Sequence, residues 1–243
     1  PAGSSVTSIA EDQPGHPTVA LGLSNGQVLV FKHTYKVTYP DNKKTITPQI
    51  SYPYGEAAIN LDSQGRPLEH VAIVSGDEGL LLAASTGSQM LLLSLTSQEN
   101  MLTGETSLEE ERINLPQIAE PVKAIYMDPR KQWLYVINGR AQADVFDLST
   151  HQLNGRYKLL DDASAEVTAS SQLLGGISLM IGDSKGGIGQ WFMARGEDGE
   201  PRLSHVRDFK LGDQPVTGIA PEQRRKGFLA LDRQGNLGIF HST

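Results

Sequence analysis

Short apolar runs separated by polar, glycine-containing turns recur along the whole chain, and five of these segments align. They are "LSNGQVLVF" (23 to 31), "STGSQMLLL" (85 to 93), "NGRAQADVF" (138 to 146), "DSKGGIGQW" (183 to 191) and "DRQGNLGIF" (232 to 240). The fourth position is always small (Gly26, Ser88, Ala141, Gly186, Gly235). The ninth is always large and apolar (Phe31, Leu93, Phe146, Trp191, Phe240). Each segment follows an apolar run, namely "TVALG", "LLLAA", "WLYVI", "ISLMI" or "GFLAL", rich in strand-forming residues. A strand, a turn with Gly, Asn, Asp or Ser where positive φ is needed, and a second strand predict a β-hairpin.

A third strand lies upstream of each hairpin: "VTSIA" (6 to 10), "HVAIV" (70 to 74), "VKAIY" (122 to 126), "VTASS" (167 to 171) and "VTGIA" (216 to 220). From Val6, Val71, Val122, Val167 and Val216 to the large anchors the distances are 25, 22, 24, 24 and 24 residues, so three strands per unit stay in register. More polar stretches supply a fourth, outer strand: "KVTYPDNKKTITPQISY" (36 to 52), "TSLEEERINL" (106 to 115), "GRYKLL" (155 to 160) and "RLSHVRDFKL" (202 to 211). Anchor-to-anchor spacings of 62, 53, 45 and 49 residues put insertions in the early units.

Four-stranded antiparallel units of about 40 to 50 residues predict an all-β, WD40-like β-propeller. The expectation is a single domain over 1–243, with units near 6–52, 70–115, 122–160, 167–211 and 216–243. A β-sandwich also has many short strands, but it does not repeat one unit with the same small and large positions. No sustained helical period appears; "SLEEERINLPQIAE" (107 to 120) comes nearest, and its proline and position favour strand and loop. The fifth unit reaches Thr243 without an outer strand. The expectation is either a larger ring of about six to eight blades or a fifth blade sealed by other residues or a partner.

Composition narrows the functional classes. With 21 basic against 28 acidic residues, a net charge of −7 and no concentrated basic face, duplex nucleic acid is not an expected partner. Arg224-Arg225-Lys226, the one basic cluster, reads as a solvated turn, with an anion or partner contact as the alternative. With no cysteine there are no disulfides, thiolate metal sites or cysteine nucleophiles. The longest apolar stretch, "GLLLAAS" (79 to 85), is far short of the ~18 to 20 residues that span a bilayer, and no signal peptide is visible.

The loop "GDSKGGIGQWF" (182 to 192) resembles a protease nucleophile loop lengthened by Lys185, and its glycines suggest a phosphate cradle. The repeat gives Asp183 and Ser184 the same turn positions as Asp232 and Arg233, and a strand follows where a P-loop needs a helix. A β-turn is therefore expected, with no catalytic residue. Ser184→Ala should be nearly silent, whereas Trp191→Ala should cost roughly 3 to 5 kcal/mol as a core anchor. His16, His33, His70, His151, His205 and His241 show no metal-ligand spacing, so neither metal nor cofactor is expected. Tyr35, Tyr39, Tyr52 and Tyr54 cluster in the first insertion, either packed beneath a loop or forming a partner-binding lip.

At the fourth repeat, "IGDSKGGIGQWFMAR" (181 to 195) followed by "RLSHVRDF" (202 to 209) resembles a segment of the periplasmic insert in the large-type permease subunit of bacterial phosphate ABC importers. That resemblance implies a WD40-like accessory domain between the first two transmembrane helices. It would be non-catalytic and would act by docking or regulation with other importer subunits or periplasmic proteins. Membrane attachment would come only through helices outside this stretch, and no phosphate-binding residue carries over. The alternatives are a free-standing cytoplasmic WD40-like scaffold and a propeller hydrolase or lactonase.

Overall fold

The computed structural model describes residues 3–12, 17–76, 79–99, 106–118 and 120–242. It contains five antiparallel sheets, each built from strands consecutive in the chain. Two compact units, residues 1–117 and 118–243, hold two and three of these sheets.

In the first unit, β1 (Val6–Glu11), β2 (Thr18–Leu23), β3 (Gln27–Thr38), β4 (Thr45–Ser51) and the two-residue β5 (Ile59–Asn60) make one sheet. β6 (His70–Gly76), β7 (Gly79–Thr86), β8 (Gln89–Glu99) and β9 (Thr106–Asn114) make the next. β1 and β2 pack against β6. Val28, Val30, Leu68, Leu80, Leu82 and Leu93 are the centre of their shared core. Gly22 makes this approach possible, because a Cβ there would meet Ser8 Oγ at 2.2 Å and Val71 Cγ1 at 3.0 Å.

In the second unit, β10 (Val122–Met127), β11 (Trp133–Asn138), β12 (Gln142–Asp147) and β13 (Gln152–Lys158) form the third sheet. β14 (Val167–Gln172), β15 (Ser178–Asp183), β16 (Gly187–Arg195) and β17 (Pro201–Lys210) form the fourth. β18 (Val216–Pro221), β19 (Gly227–Asp232) and β20 (Leu237–His241) form the fifth, with three strands. One core, around Tyr135, Ile137, Val145, Leu179 and Ile181, joins the third and fourth sheets. Another, around Met180, Ile188, Val216, Phe228 and Ala230, joins the fourth and fifth.

The strand order matches the repeat, and a bulge explains its spacing. In four sheets the register shifts just after the inner valine, at Val6, Val122, Val167 and Val216. Each extra residue twists the inner strand locally. The second sheet pairs without a shift from His70 to Gly76, which accounts for one of the two residues missing from its spacing; the other arises because His70, not Val71, stands opposite Ser85 in the inner valine's place.

Two expectations need correction. The small position of the second unit is not Ser88: Thr86 pairs with Gln89, and Gly87 takes the left-handed conformation at φ 58°. In the first unit, the stretch 36–52 is not one outer strand. It finishes β3, turns through Pro40–Asn42 and returns as β4, while β5 pairs with Gln27 and Val28 to cover the start of β3. Prolines and consecutive left-handed residues at Asp41 and Asn42 turn the chain there. The anchors also differ in burial: Leu93 and Phe146 are enclosed, whereas Phe31, Trp191 and Phe240 are half-buried.

Candidate functional site: turns, clusters and open faces

The loop 182–192 is a turn closed on its own carboxylate. Asp183 Oδ1 accepts from Lys185 N at 2.7 Å and Gly187 N at 2.9 Å, and Gly186 N donates to the Asp183 carbonyl at 3.4 Å. The amides a phosphate would need are therefore already bound to an internal anion. Gly186 is required twice over. Its φ is +81°, and a Cβ would lie 2.2 Å from the Gly212 carbonyl oxygen.

Ser184 is tied to the start of its sheet rather than to a base. Its N–H donates to the Glu166 carbonyl at 2.9 Å, and its Oγ accepts from Glu166 N at 3.1 Å. The lengthening residue Lys185 reaches Asp162 and Ser164. Its ammonium, together with Ser164, holds the Asp162 carboxyl well below the usual carboxylate range.

The loop held by its own side-chain oxygen recurs. Asn138 Oδ1 accepts from Arg140 N at 3.0 Å and Gln142 N at 3.2 Å, and Asp232 Oδ1 from Gln234 N and Asn236 N, both at 2.9 Å. Hydrogen bonds from the Asn236 side chain and from these amides lower the Asp232 pKa despite its burial. In the repeat this role falls to the first position, apart from the small fourth and large ninth. An Asn or Asp there, four residues before the second strand, was the available signal.

The histidines stay apart. His33 is on β3, His70 on β6, His151 in a left-handed turn at φ 58°, and His241 on β20. His205 Nε2 lies 2.9 Å from Asp208 Oδ1, with its ring 4.8 Å from that of Trp191. His16 lies outside the described residues. Among the described residues, no group of three or more His, Cys, Asp or Glu is placed to share a metal ion. Arg224, Arg225 and Lys226 occupy the exposed loop between β18 and β19. In the first unit, a cleft of about 590 Å³ is lined by Arg66, Glu69, Ser88 and Gln89. The Arg66 guanidinium is already committed, to Asp62 at 2.9 Å and Gln89 at 2.7 Å.

No family model matches the chain, and no curated protein matches it. Solved structures do. Sqt1 from Chaetomium thermophilum aligns with a TM-score of 0.57 and 11% identity, over 98% of this chain and 56% of that one. The Cps50 (Swd1) β-propeller domain of Myceliophteria thermophila aligns at 0.51 and 13%, over 98% and 84%. A chain of the mitotic checkpoint complex aligns at 0.58 and 12%, over 100% and 63%. The fold is a WD40-like β-propeller. The chain spans little more than half of the Sqt1 chain and under two thirds of the checkpoint one.

In propeller terms, each sheet is a blade, and among the described residues exposed large apolar side chains gather on the fifth blade and on the first. Leu229, Leu231, Leu237 and Ile239 on the fifth blade are 40%, 42%, 63% and 72% exposed. On the first blade, the tyrosine cluster splits. Tyr35 and Tyr39 stand out on the β3–β4 hairpin at 70% and 65% exposure, with Tyr52 just beyond it. Tyr54 instead packs against the core of the first unit, where burial and the Asp12 carboxylate push its phenol pKa up.

Proposed function

We propose that the chain is a non-catalytic accessory propeller that works by binding protein, and that it does so in the periplasm as part of the permease subunit of a phosphate ABC importer. The observation that carries the protein-binding reading is the apolar face of the fifth blade. Four large aliphatic side chains lie side by side on β19 and β20 in contact with water. Contiguous apolar exposure of this kind marks a surface that another molecule covers. The face has the chemistry to take a further β-sheet, since its fourth-blade equivalents are covered by one.

The transport reading rests on the wording of 181–195 and 202–209. Docking would leave phosphate movement to the membrane helices, the ATPase and the phosphate-binding protein. In support of a docking role, the chain's one protease-like loop holds its serine on backbone groups.

The test is to isolate the full-length gene product from phosphate-starved cells and to use this propeller as bait against the periplasmic proteins of the same cells. A product embedded in the inner membrane, with an importer component retained by the bait, is the expected outcome. A soluble full-length product would overturn the transport reading and leave a free-standing scaffold. Loss of nothing from the bait on Leu237→Ser/Ile239→Ser substitution would remove the fifth-blade face from the docking role.

A further inference from the structure

The β3–β4 hairpin is amphipathic across its two faces. Residues paired directly across an antiparallel ladder share a face, and neighbours along a strand alternate. The pairs His33–Ile50, Tyr35–Pro48 and Val37–Ile46 therefore form one side. Thr34, Lys36, Thr38, Thr45 and Thr47 fall on the other. The apolar side is open, with Tyr35 70%, Ile46 56% and Ile50 61% exposed, and Tyr39 at the turn 65% exposed. β2 pairs with β3 only as far as Lys32, so beyond that point the hairpin is a two-stranded ribbon. Such ribbons are marginal in water unless something covers their apolar side.

Charge identifies the cover. Lys32, Lys36, Lys43 and Lys44 against Asp41 give residues 32–51 three net positive charges, in a chain whose net charge is −7. An anionic surface attracts the hairpin and repels the rest of the chain, which orients the molecule. A second copy would bring two such cationic ribbons together. The ribbon face is also small for a protein partner. Seven residue pairs and two strands give about 20 Å by 10 Å, or about 200 Å², against ~800 Å² per partner in a stable protein interface. A lipid surface sets no such threshold, and tyrosines beside lysines suit the zone between headgroups and acyl chains.

We propose that this hairpin is a membrane-surface contact. Tyr35, Val37, Ile46 and Ile50 lie in the interfacial layer of an anionic bilayer, with Lys43 and Lys44 at the tip against lipid phosphates. The free edges of the ribbon keep it at the interface, because unpaired backbone groups do not enter hydrocarbon.

Vesicle flotation of the 243-residue protein tests this. The protein should float with phosphatidylcholine vesicles containing about 30% phosphatidylglycerol, stay behind with pure phosphatidylcholine, and come off at about 0.5 M salt. Ile46→Ser/Ile50→Ser and Lys43→Glu/Lys44→Glu should each lower the bound fraction about tenfold with an unchanged melting temperature. If the serine variant melts early, the glutamate variant carries the test alone, since it alters only exposed side chains at the tip. A wild-type protein that ignores anionic vesicles, or variants that float equally well, would overturn the proposal. So would a dimer that the same substitutions dissociate, which would give the face to a second copy, or equal binding to neutral vesicles, which would remove the lysines from the contact.

Discussion

The fourth and fifth blades carry the same pattern, yet they are buried differently. Leu179, Met180, Ile181 and Gly182 on β15 correspond to Phe228, Leu229, Ala230 and Leu231 on β19, and Ile188 and Gln190 on β16 to Leu237 and Ile239 on β20. Phe228 and Ala230 are as enclosed as Leu179 and Ile181. The other face differs. Met180 and Ile188 are within 1% of full burial beneath the fifth blade, while Leu229 and Leu237 are 40% and 63% exposed. Glycine 182 lets Val216 approach so closely that a Cβ would lie 2.8 Å from its Cγ1; the fifth blade has Leu231 in that place. In the first and fourth blades a glycine at this position, Gly22 or Gly182, lets the next blade press in, whereas the third carries Ile137 there, buried in the core it shares with the fourth.

This contrast is open to direct attack, first where the effect should be largest. Met180→Ala should cost about 3 kcal/mol in denaturant unfolding, and Leu229→Ala under about 1 kcal/mol. Equal costs would mean that the two faces are equally covered in solution. Gly182→Ala should destabilise by about 2 kcal/mol through its clash with Val216, while Leu231→Ala should change the melting point little. A silent Gly182→Ala would show that the fifth blade does not sit tightly on the fourth.

Smaller effects test the turns. Ser184→Ala, expected from the repeat to be nearly silent, should instead cost roughly 0.5 to 1 kcal/mol, because the Glu166 amide loses its acceptor, and Arg233→Ala at the same position should cost nothing measurable. Asn236→Ala should lower stability at neutral pH, and the cost should fade in acid as Asp232 is protonated in both proteins. The Asp232 carboxyl titrates below its ordinary range, so its stabilisation is complete above that range and is lost as pH falls through the lowered value. Without the Asn236 amide the value climbs part of the way back, and acid unfolding followed by circular dichroism should begin at a higher pH. An unmoved acid transition would exclude that carboxylate as a contributor.

The repeat made the strands and their order readable, since apolar runs and turn residues act locally. Trp191 shows where that legibility stops. Its ninth position predicts a core anchor, but the ring is half-buried, packs beside His205, and leaves Nε1 without a hydrogen-bond partner among the described residues. A cost nearer about 2 kcal/mol than the 3 to 5 expected follows for Trp191→Ala. The hairpin at 33–51 was hidden for a different reason. Its length and prolines resembled one interrupted outer strand, and only the pairing of Tyr35 with Pro48 reveals two faces. Burial of a face by a neighbouring sheet is likewise a property of the partner, so Leu229 and Met180 look alike in sequence.

The loops held by an Asn or Asp side chain bear on how the second unit breathes. Amides at Arg140, Gln142, Lys185, Gly187, Gln234 and Asn236 each donate to an Asn or Asp oxygen within their own turn. Turn amides ordinarily exchange with solvent hydrogen long before strand amides do. Here each must first break a hydrogen bond within its own turn, so its exchange reports the opening of that turn. Deuterium uptake at these six positions would therefore time the loosening of these turns in the third, fourth and fifth blades one by one.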